Sequence, residues 1–270
     1  MNLLDLVFPK DIYCASCDRP LPAREGDGAA LCERCADEIV WVAGRQCAKC
    51  GRQLSDENPG ELCRDCRSSG EHGFGKAYAC ALYSGRAAEL VRDMKYRNKP
   101  WNAGTLAFLM AERFLAEADM ETGELPLYDI VLSVPMGRRK QGVRGYNQAE
   151  LLAAGLAGRI GVPHLKNALL RTRETNVMSS LAVGERRQNL SGAFSVRPGM
   201  VEQVAGKRVL LADDVYTTGS TADACAEALF AAGAECVDVI VFGIGADVRR
   251  KEDRPAVVES PGQLRAKGPT

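Results

Sequence analysis

The chain has 270 residues, 46% of them hydrophobic, and its 35 basic side chains are balanced by 35 acidic ones. That length can bury a full α/β core and still carry a small module, so two domains are expected. The zero net charge argues against a globally basic nucleic-acid-coating protein.

The start, MNLLDLVFPKDIYC, has no basic n-region, and no segment approaches about 18 consecutive apolar residues. Neither a secretory signal nor a membrane span is expected, and the location reads as cytoplasmic. Eleven cysteines are many for a reducing compartment unless most are occupied. Eight fall in four C-x-x-C pairs, Cys14/Cys17, Cys32/Cys35, Cys47/Cys50 and Cys63/Cys66. Each pair offers two thiolates on one tight knuckle, and two knuckles complete a tetrahedral site, so a framework for two structural zinc ions is expected. Sequential pairing gives one ribbon from Cys14, Cys17, Cys32 and Cys35 and a second from Cys47, Cys50, Cys63 and Cys66; a cross-braced arrangement fits the same ligands. The remaining Cys80, Cys225 and Cys236 lie in apolar surroundings and read as core. Residues 1–68 are too small and polar to fold unaided, and structural zinc supplies on the order of 10 kcal/mol. With two Cys₄ zinc ions this module carries a formal charge of about −7, which suits protein docking or support of the next domain better than DNA.

The Gly-rich stretch around SSGEHGFG reads as a short linker, 69–76, leading into a second domain at 77–247. There KAYACALY can form a strand, GRAAELVRDMKYR a helix that stops before Pro100, and NAGTLAFLMAERFLAEADM a second helix. The basic residues Lys95, Arg97 and Lys99 read as a solvated helix end. YDIVLSVP is the next apolar strand. A loop follows in which Arg138, Arg139, Lys140 and Arg144 stand among Gly137, Gly142 and Gly145, and Asn147 with Glu150 begins a helix. Residues 136–190 carry a net +7 in a neutral chain, beside the carboxyl edge where open α/β sheets bind ligands. His72 and His164 have no partner motif and are assigned no role.

VLLADDVYTTGST, 209–221, is the sharpest signal. Val209 to Ala212 reads as a buried parallel strand, and ADACAEALFAAGA as a helix capped by Ser220 or Thr221. A helix N-terminus with Gly219, Thr217, Thr218, Ser220 and Thr221 ahead of it can wrap a phosphate. Asp213 and Asp214 would repel that phosphate, and they suit hydroxyls or a hydrated Mg²⁺. A ligand with a diol at one place and a phosphate several ångströms away satisfies both halves. Asp223, in the first helical turn, must then point away. A Walker B strand would need G-x-x-x-x-G-K-[ST], which is absent from the chain, and a receiver-type acidic pocket would need more βα units than remain.

Apolar strand, Asp-Asp and T-T-G-x-T resemble the 5-phosphoribosyl-1-pyrophosphate (PRPP) motif of type I phosphoribosyltransferases. With LLDLVFP, the C-x-x-C series, LVRDMKYR, VPMGRRKQGVRGYNQAELLA and ERRQNLSGAF, the layout resembles the ComF family, whose members are linked to DNA uptake in natural transformation. The resemblance implies a type I phosphoribosyltransferase-like parallel sheet with helices on both faces, preceded by a double zinc ribbon. It implies that Asp213 and Asp214 hold the ribose 2′ and 3′ hydroxyls as the catalytic pair, and that Thr217, Thr218, Gly219, Ser220 and Thr221 cradle the 5′-phosphate. Arg138, Arg139, Lys140, Arg144 and Gly145 would take the pyrophosphate with Mg²⁺, and 171–189 would be the mobile loop. Three positions depart from the family pattern: Met178 where Gln is usual, Gly137 where His is common, and Tyr216 where an aliphatic is common. The expected function is phosphoribosyl transfer from PRPP to an unknown acceptor. The alternative is a non-enzymatic adaptor that binds single-stranded DNA and DNA-uptake proteins, in which PRPP binding is regulatory or vestigial. The tail, 248–270, reads as disordered.

Overall fold

The computed structural model describes residues 13–21, 30–68, 72–121, 128–173, 190 and 192–247. The tail 248–270 and most of the expected mobile loop lie outside these residues. The described strands are β1 (Ala77–Leu82), β2 (Ile130–Ser133), β3 (Leu169–Arg171), β4 (Phe194–Val196), β5 (Arg208–Tyr216) and β6 (Cys236–Ile244). The α-helices are α1 (Glu33–Asp37), α2 (Arg64–Ser68), α3 (Gly85–Tyr96), α4 (Asn102–Glu121), α5 (Arg138–Arg144), α6 (Gln148–Ile160), α7 (Val201–Val204) and α8 (Ser220–Ala231). Among the described residues no helix is long and apolar enough to cross a membrane.

β1, β6, β5 and β2 lie side by side in that order, every pairing parallel. All residues of β1 and β2 are buried, as expected for strands covered on both faces. Each edge strand of the sheet makes one further short pairing. Trp41 bridges antiparallel to Ala81, with the Val42 N–H donating to the Cys80 carbonyl at 2.9 Å, and His164 bridges to Val131 on the far side. These short pairings occupy part of the outward row of backbone groups on each edge strand. β3 and β4 form a separate antiparallel pair that holds the two ends of the segment between them.

Strand alternation divides the interior into two cores. Tyr78, Cys80, Leu210, Ala212, Ile240 and Phe242 belong to one, together with Cys14, Cys32 and Cys35 of the N-terminal module. Ala77, Ala79, Val209, Leu211, Val239 and Val241 belong to the other, together with Cys47, Cys50, Cys63 and Cys66. Each cysteine cluster therefore shares a core with one face of the sheet. The physical reason is size: a ribbon of this length has too little apolar surface to bury against itself. The stretch read as a linker is packed in its described part, with Phe74 1% and His72 7% exposed.

Three local differences from the sequence reading bear on the site. β5 continues past Ala212 through both carboxylates to Tyr216. The N-cap of α8 is Gly219, at φ 79°, rather than Ser220 or Thr221, and no side chain caps it; a left-handed residue is needed at this turn, which glycine takes without steric cost. The basic stretch expected as a loop is wound into α5, which ends at Gly145 with φ 84°. The capping box is half formed. Asn147 accepts from the Ala149 N–H at 3.2 Å, but Glu150 turns away and accepts from the Ser133 hydroxyl.

Candidate functional site

At the carboxyl end of β5 the two aspartates point to opposite faces of the sheet. Asp214 is 4% exposed and its Oδ1 accepts from Lys95 Nζ at 2.5 Å. Its Oδ2 is buried without a hydrogen-bond partner among the described residues. Burial works against the Lys95 ammonium, but Asp214 and then Asp213 outweigh it and hold its pKa above the usual lysine range. Asp213, half-buried on the other face, is pushed up to about 7 by burial and next by the Asp214 charge, with Lys95 opposing. Two carboxylates and one ammonium form an incompletely compensated acidic cluster, with one oxygen still available to a hydroxyl or a hydrated cation.

Lys95 belongs to the last turn of α3, and its neighbours there reach the basic segment. Tyr146 donates its hydroxyl hydrogen to the Met94 carbonyl. The Arg144 guanidinium stacks over the Tyr96 ring at 5.2 Å and donates to Gln148 Oε1 at 2.5 Å. One helical turn thus ties the acidic pair to the cationic segment. Arg138, Arg139 and Lys140 are exposed on α5, while Arg144 is half-buried. The solvated-end reading of Lys95, Arg97 and Lys99 fails for two of them: Lys99 Nζ pairs with Asp18 at 2.8 Å, across to the first cysteine cluster, and only Arg97 stays at the surface beside Asp93.

The hydroxyl-rich turn follows directly. Thr218 Oγ1 and Ser220 Oγ are 3.1 Å apart, and Gly219 sits on an aromatic floor. A Cβ there would lie 2.3 Å from the Tyr216 hydroxyl and 2.9 Å from His72 Cε1. Asp223 does turn away from the cradle: His72 Nδ1 lies 2.9 Å from its Oδ2, and the Gly73 N–H donates to its Oδ1 at 2.9 Å. His72, assigned no role from sequence, and Tyr216, a departure from the family pattern, are thereby the floor of the turn, with Phe74 stacked on His72 at 5.0 Å.

A cleft of about 820 Å³ opens beside this arrangement. Its walls come from β2, α5, α6 and β3, and Arg138, Lys166, Arg171, Arg173 and Arg197 make it cationic. The Asp pair and the 217–221 turn are not among its lining residues. The cleft extends the basic segment and lies beside the cradle rather than over it. Glu150 and Ser133 also line it, and His164 Nε2 lies 3.8 Å from Glu150 Oε1.

The cysteines form two groups of four, Cys14, Cys17, Cys32, Cys35 and Cys47, Cys50, Cys63, Cys66, with ligand atoms all within 4.8 Å of one another. Sequential pairing is therefore the arrangement adopted, and the cross-braced alternative is excluded. In the second group mutual hydrogen bonding drives the Cys50 and Cys66 thiols far up and Cys47 far down. Four sulfurs this close cannot all ionise unless a cation lies between them, and a tetrahedral thiophilic ion such as Zn²⁺ fits both groups. Cys80 and Cys225 are fully buried and Cys236 partly so.

A zinc-ribbon pair sharing its core with a phosphoribosyltransferase-like sheet is the class these features define. Residues 3–67 match the double zinc ribbon domain and residues 147–261 the phosphoribosyl transferase domain. Competence protein F of Haemophilus influenzae is 33% identical over 210 residues, covering 77% of this chain and 88% of that one. DNA utilization protein YhgH of Salmonella typhi is 30% identical over 226 residues, 84% and 87% of the two chains. Competence protein ComFC of Streptococcus pneumoniae is 27% identical over 220 residues, 81% and 88%. The chain belongs to the ComF family.

Proposed function

We propose that the protein binds PRPP with Mg²⁺ and transfers its phosphoribosyl group to an acceptor, releasing pyrophosphate, in the handling of incoming DNA. The observation that carries this reading is the end of β5: a carboxylate pair with an unpartnered buried oxygen, followed by a glycine-capped, hydroxyl-rich turn into α8. Asp213 and Asp214 would accept hydrogen bonds from the ribose 2′ and 3′ hydroxyls. Thr217 to Thr221 would offer hydroxyl and backbone N–H donors to the 5′-phosphate. Arg138, Arg139, Lys140 and Arg144, with Gly145 allowing close approach, would face the pyrophosphate. In the reaction the bond from C1′ to the pyrophosphate oxygen breaks and the acceptor's lone pair forms the new bond to C1′. No side-chain nucleophile is required, because stabilisation of the departing anion by fixed cations and Mg²⁺ supplies the catalysis. The link to DNA handling rests on the names of the relatives.

Incubation with PRPP, Mg²⁺ and a panel of nucleobases, followed by pyrophosphate detection, tests the activity. Release that is lost in Asp213→Asn supports it. Binding of PRPP without release under any acceptor favours the adaptor reading, which has one observation of its own. Tyr96, 74% exposed, lies against Arg144 of the basic segment, Trp101, 64% exposed, follows five residues along the chain, and exposed aromatic faces beside cations suit single-stranded DNA. Fluorescence anisotropy with a labelled oligonucleotide, comparing wild type with the Tyr96→Ala, Trp101→Ala double variant, tests that second reading.

A further inference from the structure

We infer that Arg52, on the second ribbon, is a positioning residue for the phosphate cradle, so that zinc in that ribbon and phosphate in the cradle strengthen each other's binding. The inference rests on the phosphate reading of residues 217–221.

Arg52 lies between the knuckles of the Cys47–Cys66 cluster, yet it is 3% exposed. Its Nη1 donates to Asp65 Oδ2 at 2.5 Å and its Nη2 donates to the Thr217 carbonyl at 3.0 Å. The guanidinium thus spans from the ribbon to the first residue of the cradle, 165 positions along the chain. The geometry of the peptide group gives this contact its consequence. In a trans peptide the carbonyl and the following N–H point in opposite directions. Pinning the Thr217 carbonyl toward the ribbon therefore turns the Thr218 N–H away from the ribbon, the orientation in which, on the phosphate reading, it can donate to the ligand.

The ribbon can hold Arg52 in place because it is docked closely against the sheet. The Ala77 N–H donates to the Lys49 carbonyl at 2.8 Å, Lys49 Nζ donates to the Phe74 carbonyl, and a Cβ on Gly51 would lie 2.3 Å from the Ala77 oxygen. A buried guanidinium also needs anionic company. Asp65 supplies one charge, and a zinc-loaded Cys₄ cluster carries a formal −2 that four neutral thiols lack. Zinc in the second cluster therefore favours Arg52 in its buried position. By linkage, whatever stabilises the cradle in its pinned form also favours the metal.

The test uses full-length protein loaded with zinc, ribose 5-phosphate as the probe, and the variants Arg52→Met, Arg52→Lys and Asp65→Asn. Arg52→Met is expected to keep both zinc ions and lose about tenfold or more in affinity for ribose 5-phosphate. Arg52→Lys is not expected to rescue it, since one ammonium cannot serve both acceptors with the geometry of a planar fork. Asp65→Asn, half exposed and away from the cradle, should give a smaller loss and covers the case in which Arg52→Met fails to fold. In equilibrium competition with a chromogenic chelator, ribose 5-phosphate should tighten retention of one of the two zinc ions in wild type and not in Arg52→Met. Equal affinities in wild type and variants, or equal zinc retention with and without the probe in wild type that binds it, overturns the inference. If wild type binds no ribose 5-phosphate, the phosphate reading itself has failed. Hydrogen exchange of residues 216–221 then still decides the positioning role: faster exchange in Arg52→Met supports it and unchanged exchange overturns it.

Discussion

Replacing Lys95 with Met should destabilise the protein more than loss of a lysine normally would. The ammonium is the partner of Asp214 at 2.5 Å, with side-chain exposures of 16% and 5%, and the adjacent Asp213 is already pushed up to about 7 by burial and by that neighbouring charge. Removing Lys95 leaves two neighbouring carboxylates with no cation and one of them buried. Breaking one side of a buried pair costs about 3–5 kcal/mol, and for a chain of this size each kcal/mol lowers Tm by roughly 2–4 °C. A fall of roughly 6–20 °C at pH 8 is therefore expected in differential scanning calorimetry. Met keeps the apolar stem of the lysine, so the loss reports the charge and not the packing. Adding Asp214→Asn to Lys95→Met should recover much of it, because the unpaired charge is then gone. A melting temperature within about 1 °C of wild type for the single variant, or no recovery in the double, would refute the claim that Lys95 is a buried counter-ion.

Gly219→Ala combines a positive φ with a Cβ placed 2.3 Å from the Tyr216 hydroxyl; a cost of about 2–4 kcal/mol is expected, read as a lower urea midpoint with an unchanged m-value. Asp213 carries a raised pKa in the folded state, so the stability it contributes is present below about pH 4 and is lost as pH rises through about 7. With zinc retained and Mg²⁺ absent, Asp213→Asn should accordingly be more stable than wild type at pH 8, by about 2 kcal/mol once partial exposure is allowed for, and show no gain at pH 4. Two zinc ions per chain are expected by elemental analysis. Their removal should shift the main thermal transition of the whole protein, because both cysteine clusters share cores with the sheet; a transition of the α/β part that ignores chelation would contradict the shared cores.

What could be read from the sequence was local. Apolar runs gave the strands, C-x-x-C spacing gave the metal knuckles, and the Asp-Asp and T-T-G-x-T string marked the turn, because each signal is contained within about a dozen residues. The pairing of the cysteines was open until the chain path was known. Lys95 and Asp214 are 119 positions apart, His72 and Asp223 are 151 apart, and Arg52 and Thr217 are 165 apart. No periodicity links such residues, so a lysine at a helix end read as solvated and a histidine in a Gly-rich stretch read as part of a linker. The α5 helix was missed for a different reason. Gly137, Gly142 and Gly145 signal a loop, yet Gly137 and Gly145 serve as the caps and Gly142 is tolerated inside.

Calorimetric titration of PRPP with Mg²⁺ into wild type and Asp213→Asn tests the central claim most directly. If the acidic pair grips the ribose diol, wild type binds one equivalent and the variant loses about tenfold or more, the value of a hydrogen bond to a charged acceptor. That loss should occur in a variant at least as stable as the parent, so weaker binding cannot be ascribed to unfolding. Equal affinity in the two proteins, or no binding by wild type, would mean that the end of β5 is an ordinary capped turn and not a phosphoribosyl site.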